Sequence, residues 1–135
     1  VGCHRHNSEI QQELTKVCKK QIKFNFTPHL TPMFRGILST IYIDINKKGD
    51  AKSIFLSLKK QYKNNIFIKL AKFNTAISTN DVINTNNCLI SVCKTKYEKK
   101  IVILSVIDNL IKGGSGQAVQ SMNIIYNFPE NRGLK

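Results

Sequence analysis

The chain has 135 residues, which is enough for one domain with a sizeable core and too few for two. Its formal net charge is +13, but nearly all basic residues are lysines spread along the chain without an arginine or aromatic motif, so AT-rich mutational drift explains the charge better than a nucleic-acid partner. The longest apolar run, Ile101–Ile107, is far shorter than the roughly 20 residues that cross a bilayer, and the first residues lack the apolar stretch of a signal peptide. We therefore expect a cytoplasmic protein without a membrane partner.

The first segment, VGCHRHNSEIQQ, combines two histidines with the start of a helix. His4 and His6 alternate, so in an extended strand both imidazoles would point to the same face. Ser8-Glu9-Ile10-Gln11 matches a capping box, and apolar residues recur behind it at helical spacing. A helix is therefore predicted over about 8–20.

The next stretch alternates between strand and loop patterns. Apolar residues at 22, 24 and 26 alternate with polar ones and predict a strand, and the proline-containing stretch 27–35 predicts a loop. Gly36–Ile45 alternates over its full length with β-branched side chains and carries the strongest strand signal.

The rest of the chain adds helices and shorter strands. Asp50, after a turn at 47–50, is the expected N-cap of a second helix. The apolar face of this helix would consist of Ile54, Phe55, Leu58 and Tyr62. Strands are predicted at 67–70, 88–93 and 101–106, the last two as an antiparallel hairpin, followed by a helix at 117–125. The order predicts an α+β fold, a mixed and largely antiparallel sheet with helices packed on one side.

A glycine-rich turn precedes the last helix in the segment Ser105–Asn123, SVIDNLIKGGSGQAVQSMN. Gly113 and Gly114 allow a close backbone approach, and free N–H groups at the helix start could face an anion or a cofactor amide. A merely flexible lead-in to the helix is the alternative. No G-x-G-x-x-G dinucleotide fingerprint follows a strand in these residues.

The cysteines of the chain are Cys3, Cys18, Cys88 and Cys93. They form no C-x-x-C pair and no cluster with the histidines, so no metal site is predicted. Three of them occupy positions that suit an apolar side chain, which predicts small buried thiols and no disulfide.

Four runs of the sequence together resemble one enzyme family: GCHRHNSEIQQEL, FTPHLTPMFRGILSTIYI, DVINTNNC and SVIDNLIKGGSGQAVQSMNIIY. In this order they resemble the C-terminal half of N-acetyl-gamma-glutamyl-phosphate reductase, a member of the glyceraldehyde-3-phosphate dehydrogenase-like reductases. The resemblance implies a substrate-binding and dimerisation α+β domain at 1–112, with the fold of the glyceraldehyde-3-phosphate dehydrogenase C-terminal domain. It also implies that the glycine-rich loop and helix at 113–135 return toward a cofactor domain.

The resemblance further implies an activity and partners. Such enzymes form a thioester on a cysteine and reduce it with NADPH, converting N-acetyl-glutamyl phosphate to a semialdehyde in arginine biosynthesis. The family's nucleophile lies in an S-N-P-G-C-like motif that these residues lack, and Cys3 matches a different position. We therefore expect NADP(H) to be bound mainly by an N-terminal Rossmann domain or segment outside this chain, the chain alone to be inactive, and a homo-oligomer to form through the sheet.

The same resemblance assigns roles to single residues. His4 falls on the H-R-H motif as the expected acid/base, with His6 and Arg5 as substrate contacts, although which histidine transfers the proton stays open. Arg35, in the R-G-I motif, is expected to hold a substrate carboxylate or phosphate, and a surface ion pair is the alternative.

A second set of residues is expected to face the nicotinamide, since it falls on the family's K-G-A-S-G-Q pattern: Gly114, Ser115, Gly116 and Gln117. Gly114 stands where the family usually has alanine. Asn109 and Asn123 also match, but buried amides that pair helices explain them equally well.

Two other functions remain open on these motifs. A related reductase, which acts on a carrier-bound lysine-pathway intermediate, shares them. A non-catalytic remnant that binds a partner chain through the Gly36–Ile45 strand is the second alternative.

Overall fold

A computed structural model describes residues 4–45, 49–97 and 99–135. The chain groups into two compact units, Val1–Met33 and Phe34–Lys135. The domain boundary predicted at 112/113 falls inside the second unit.

Helix α1 of the first unit spans His6–Cys18. The predicted capping box at Ser8 is wrong, because the helix begins earlier and Arg5 is its N-cap without a side-chain cap. The Ser8 hydroxyl instead donates to the Arg5 carbonyl oxygen at 2.9 Å. At the other end Lys19 adopts a left-handed conformation (φ 53°) and ends the helix.

The predicted strand at 22–26 is not formed. Ile22, Phe24 and Phe26 are half-buried and the polar residues between them are exposed, so the alternation does mark one buried side. The Ile22 carbonyl, however, accepts a hydrogen bond from Gln11 Nε2 of α1 at 2.7 Å. The segment is thus held by a helix side chain and pairs with no strand among the described residues.

In the described part of the second unit, four strands form one sheet. They are β1 (Ile37–Asp44), β2 (Ile68–Leu70), β3 (Cys88–Lys94) and β4 (Lys100–Ile107), in the spatial order β1-β4-β3-β2. β4 is antiparallel to both β1 and β3, and β2 is parallel to β3. The predicted α+β class with a mixed, largely antiparallel sheet is confirmed.

The second unit also contains two α-helices, α2 (Ala51–Gln61) and α3 (Gly116–Ile125). Asp50 is the N-cap of α2, as predicted: its carboxylate accepts from the Ser53 N–H at 2.7 Å, and Ser53 Oγ accepts from the Asp50 N–H at 3.1 Å. The predicted turn before it lies partly outside the described residues. The polar span 74–87 contains a short 3-10 turn at Thr79–Asp81.

The core of the second unit lies between α2 and one face of the sheet. Alternate positions on neighbouring strands meet there, since Ile43 lies opposite Ile101 and Val92 opposite Ile103. Ile54, Phe55 and Leu58 of the predicted apolar face of α2 pack on them, whereas Tyr62 is the C-cap of the helix and lies outside this cluster. The cluster contains Ala51, Val92 and Ile101 as buried members, with Ile43, Ile45, Ile54, Phe55, Leu58, Phe73 and Ile103 around them. Burying an aliphatic side chain of this size stabilises the fold by about 1.5–3 kcal/mol.

The cysteines are less buried than predicted. Cys18 is exposed, and Cys88 and Cys93 are half-buried free thiols. The expectation of a buried thiol is wrong for Cys18, because α1 turns that position to solvent, and Cys3 lies outside the described residues. Over the described ranges, no helix is long and apolar enough to cross a membrane, and no three His, Cys, Asp or Glu side chains group as metal ligands.

Candidate functional site

His4 and His6 lie side by side at the start of α1. Their ring centroids are 4.7 Å apart at an interplanar angle of 67°. The predicted alternating strand is wrong here, because His6 already belongs to the first turn of the helix. The rings still meet, since the His6 backbone N–H donates to His4 Nδ1 at 3.2 Å.

This hydrogen bond sets the chemistry of His4. When Nδ1 accepts a hydrogen bond from a backbone N–H, the neutral imidazole carries its own proton on Nε2. His4 is an exposed residue, so its imidazole can be reached by a ligand. The arrangement can support general acid/base catalysis.

Two further residues complete a histidine cluster that sequence reasoning did not identify. The Phe26 ring lies 5.6 Å from the His4 ring and 6.5 Å from the His6 ring. His6 Nε2 is 3.9 Å from Glu9 Oε2, which becomes an ion pair when His6 is protonated. The spacing of three residues on a helix was the signal for Glu9. Arg5 is exposed, and its guanidinium has no partner among the residues the structure describes.

Arg35 lies in the second unit, two residues before β1, and binds Asp108, immediately after β4. Its Nε is 3.0 Å from Asp108 Oδ1 and 2.9 Å from Oδ2, and its Nη1 donates to Asn84 Oδ1 at 3.3 Å. The side chains of Arg35 and Asp108 are 19% and 0% exposed. Arg35 therefore does form an ion pair, as the alternative predicted, but the pair is largely buried and not on the surface. Nη2 is left without a protein partner in the described part of the chain.

Asp108 is the residue that sequence reasoning missed. Its carboxylate accepts the N–H groups of Asn84 at 2.8 Å, Leu110 at 2.9 Å and Ile111 at 3.0 Å. Burial raises the pKa of this carboxyl, but the three backbone donors and the Arg35 guanidinium outweigh burial and hold the pKa below its ordinary value. An aspartate directly after a buried strand and before a turn was the available signal.

The glycine-rich segment forms a π-helical turn, Ile111–Ser115, that is kinked at Gly114 (φ −148°, ψ −106°) and leads into α3. The Gly113 N–H donates to the Asp108 carbonyl and the Ser115 N–H to the Leu110 carbonyl, both at 2.9 Å. The Gly116 N–H donates to the Ile111 carbonyl. These groups were expected to be free at a helix start, and that expectation is wrong because the turn uses them itself.

The four residues expected to face the cofactor differ in exposure. Gly114, Ser115 and Gln117 are exposed, whereas Gly116 is buried. A Cβ on Gly116 would lie 2.5 Å from Asn86 Oδ1 and 2.6 Å from Ile111 Cγ2, so close packing requires a glycine at this position. The surface that the turn can offer to a ligand consists of the other three residues.

A network of amides behind the turn ties α3 to the C-terminal segment. Gln120 Oε1 accepts from Lys112 Nζ at 2.6 Å and from Asn86 Nδ2 at 3.0 Å, while Gln120 Nε2 donates to Glu130 at 2.6 Å. Burial lowers the pKa of the Lys112 ammonium. Asn123 is buried and its Nδ2 donates to two backbone carbonyls of that segment. Asn123 is thus buried, as the alternative predicted, but it ties α3 to the C-terminal segment and not to another helix.

Comparison with known proteins identifies the family. Residues 1–109 match the semialdehyde dehydrogenase dimerisation domain. The chain belongs to this family. Together with the relatives described next, this match confirms the resemblance of the four sequence runs to the C-terminal half of N-acetyl-gamma-glutamyl-phosphate reductase.

Several curated proteins are similar to this dimerisation domain over its whole length. N-acetyl-gamma-glutamyl-phosphate reductase of Vesicomyosocius okutanii subsp. Calyptogena okutanii (strain HA) is 46% identical over 135 residues, which cover 100% of this chain and 38% of that protein. The enzymes of the same name from Thermoanaerobacter pseudethanolicus and Staphylococcus aureus (strain MRSA252) are 42% and 38% identical, over 99% and 100% of this chain and 39% of each protein. The chain thus spans about two fifths of the length of these relatives, in their C-terminal part.

Proposed function

We propose that this chain is the substrate-binding and self-association part of an NADPH-dependent N-acetyl-gamma-glutamyl-phosphate reductase in arginine biosynthesis. The observation that carries the proposal is the similarity, at 38–46% identity over 99–100% of the chain, to relatives of that name. The reaction converts N-acetyl-glutamyl phosphate, NADPH and a proton into N-acetyl-glutamate semialdehyde, inorganic phosphate and NADP⁺.

His4 is the acid/base in this proposal. A thiol from the part of the enzyme outside these residues attacks the acyl carbon and displaces phosphate, and NADPH supplies the hydride. The imidazole takes the thiol proton and returns a proton when the semialdehyde leaves. The exposure of His4 and the hydrogen bond to its Nδ1 support this role, and the neighbouring His6 and Arg5 supply substrate contacts.

Arg35 is the proposed anchor for an anionic group of the substrate. Its Nε and Nη1 are already bound to Asp108 and Asn84, so the guanidinium plane is fixed before a ligand arrives. The unused Nη2 edge can then meet a carboxylate or phosphate with little loss of side-chain entropy.

The exposed residues of the glycine-rich turn fit the amide end of the cofactor. Gly114, Ser115 and Gln117 offer backbone, hydroxyl and amide groups, and the segment 113–125 contains no charged residue. This donor set suits a nicotinamide carboxamide better than a pyrophosphate, which favours cations. The phosphates of NADP(H) would be held by the N-terminal Rossmann domain, which is the proposed partner.

Two apolar surfaces support the proposed contacts with other chains or domains. β1 is an edge strand of the described sheet, and its Leu38 and Tyr42, which share one face, are 44% and 76% exposed, as expected for a self-association surface. Ile125 and Tyr126 at the end of α3 are 73% and 67% exposed and lie beyond the residues 1–109 that match the dimerisation domain. This second surface is the proposed contact for the rest of the enzyme.

Genetic complementation tests the proposed function. A chimera in which this chain replaces the matched C-terminal part of the Vesicomyosocius relative should restore growth without arginine to a strain that lacks the reductase. The 135 residues alone should not. Restored growth without lysine, in a strain blocked at the corresponding lysine step, would favour the related reductase. A chimera that accumulates as folded protein and restores neither growth would favour the non-catalytic remnant.

A further inference from the structure

We propose that Asp108 is a positioning residue that holds Arg35 and the π-helical turn Ile111–Ser115 as one rigid assembly. The functional meaning of this link rests on the proposed function, because it would fix the substrate anchor relative to the turn that faces the cofactor. The mechanical link itself rests on contacts within the second unit.

One carboxylate joins three segments that are distant in sequence. Oδ1 accepts the N–H groups of Leu110 and Ile111, Oδ2 accepts the N–H of Asn84, and Arg35 Nε lies within 3.0 Å of both oxygens. The loop before β1, the turn before β3 and the start of the π-helical turn therefore share one anion. Movement of any of the three would break a charge-assisted hydrogen bond.

Gly36 and Asn109, the neighbours of Arg35 and Asp108, form a second contact between the same two segments. The Gly36 N–H, next to Arg35, donates to Asn109 Oδ1, next to Asp108, at 2.7 Å. Gly36 has a φ of 106° and a Cβ there would lie 2.6 Å from Thr79 Cβ, so only glycine fits. Two consecutive residues before β1 are thus held by two consecutive residues after β4, beyond the strand pairing that ends at Ile37 and Ile107.

The charge of Asp108 matters more than its shape. An asparagine there would present an NH₂ group to at least one of the N–H donors and could not accept from all of them. Burying the guanidinium of Arg35 beside a neutral partner would also leave its charge uncompensated. Lysine in place of Arg35 would keep the charge but lose the fixed fork that contacts both Asp108 and Asn84.

Amide hydrogen exchange on the 135-residue protein tests the link. Arg35→Lys should speed exchange at the Leu110 and Ile111 amides by about tenfold or more, because a charge-assisted hydrogen bond that orders their acceptor is lost. The amides in the middle of the β3–β4 pair should keep their rates. Arg132→Lys is the matched control, since Arg132 lies in the same unit with its guanidinium carbon 4.6 Å from the Phe128 ring centroid and has no contact with Asp108.

A spectroscopic signature separates positioning from general stability. In the native protein the Arg35 Nε–H should give a slowly exchanging NMR signal, and Asp108→Asn should abolish its protection while the Arg132 Nε–H signal is unchanged. If Arg35→Lys fails to fold, Asn84→Gly takes its place: glycine tolerates the φ of 62° at that position, keeps the N–H bond to Asp108 and removes only the amide that holds Arg35.

The link is supported if the Leu110 and Ile111 amides exchange faster in Arg35→Lys or Asn84→Gly and keep their exchange rates in Arg132→Lys. Unchanged exchange at both amides overturns it, and so does an equal increase in the control variant, which would report general loosening. An Arg35 Nε–H signal that keeps its protection in Asp108→Asn overturns it as well. Because no turnover is measured, these results are independent of whether the complementation experiment succeeds.

Discussion

The histidine cluster of the first unit and the Asp108 cluster of the second are held in different ways. His4 and His6 are exposed and are joined by one hydrogen bond from a backbone N–H to an imidazole nitrogen. Asp108 is fully buried and accepts from three backbone N–H groups and one guanidinium. An exposed imidazole can exchange protons at little cost to the fold, whereas a buried carboxylate with four donors fixes geometry. His4 and His6 are therefore suited to proton transfer, whereas Asp108 is suited to positioning other groups.

The largest expected effect is on rate, at His4. In the chimera with the Vesicomyosocius relative, His4→Ala should lower kcat about 10²–10⁴-fold, the usual worth of a positioned acid/base, with little change in the free energy of unfolding. His29→Ala is the control, since His29 is another exposed histidine of the first unit. A fall of the same size in the control, or none in His4→Ala, would remove His4 from the proposed mechanism.

In the second unit, substitution of Asp108 should change the free energy of unfolding. Asp108→Asn should lower the free energy of unfolding by about 3 kcal/mol, because it leaves a partly buried guanidinium without its counter-charge. Asp44→Asn provides the control: Asp44 is paired with Lys100 at 2.7 Å, but its side chain is 80% exposed, and such pairs contribute little. Urea unfolding of the two variants measures the difference. Equal losses would contradict the contrast between a buried and an exposed pair.

The Asp108 carboxylate should also make the free energy of unfolding depend on pH. The folded-state pKa of Asp108 is lowered, so its stabilisation is present above the unfolded-state pKa of about 3.9 and is lost as pH falls through the folded-state pKa. The stability difference between the native chain and Asp108→Asn should therefore be constant near neutral pH and shrink below about pH 4. A difference that does not change over the acid range would mean that the charge of Asp108 is not the source of the stabilisation.

The smallest expected effect is a difference in stability between variants of two nearby glycines, Gly114 in the π-helical turn and Gly116 at the start of α3. Gly116→Ala should destabilise the chain by about 1–3 kcal/mol, since the new Cβ would overlap Asn86 and Ile111 in a packed interior. Gly114→Ala should cost less than Gly116→Ala, because the Cβ there would come no closer than 3.5 Å to the Asn109 carbonyl oxygen. Thermal unfolding of both variants decides the point. A reversed order would contradict the packing described for the turn.

Sequence patterns predicted the elements that local periodicity defines. β1, α2 with its Asp50 cap, the β3–β4 hairpin and α3 all appear within a few residues of their predicted positions, because alternation and capping are local signals. The strand predicted at 22–26 failed for the opposite reason. Alternation reports one buried side, but a strand also needs a partner edge, and Gln11 of α1 binds this segment instead.

The candidate site shows the same limit. His4 and His6 could be selected from the sequence, although their contact comes from a helix start and not from the predicted strand. The partner of Arg35 could not be selected, since Asp108 lies 73 residues away and only the β1–β4 pairing brings the two together. Gly116 was assigned to a cofactor by motif, whereas its packing against Asn86 depends on the folded turn. Its role toward a nucleotide stays a prediction.

We propose that these residues form part of a reductase acting on N-acetyl-glutamyl phosphate. The most direct measurement is NADPH oxidation by the purified chimera with that acyl phosphate, beside the isolated 135-residue protein. The chimera should oxidise NADPH and release phosphate in equal amounts, and the isolated chain should do neither. A folded chimera that leaves NADPH unoxidised, or an isolated chain that turns the substrate over, would contradict it.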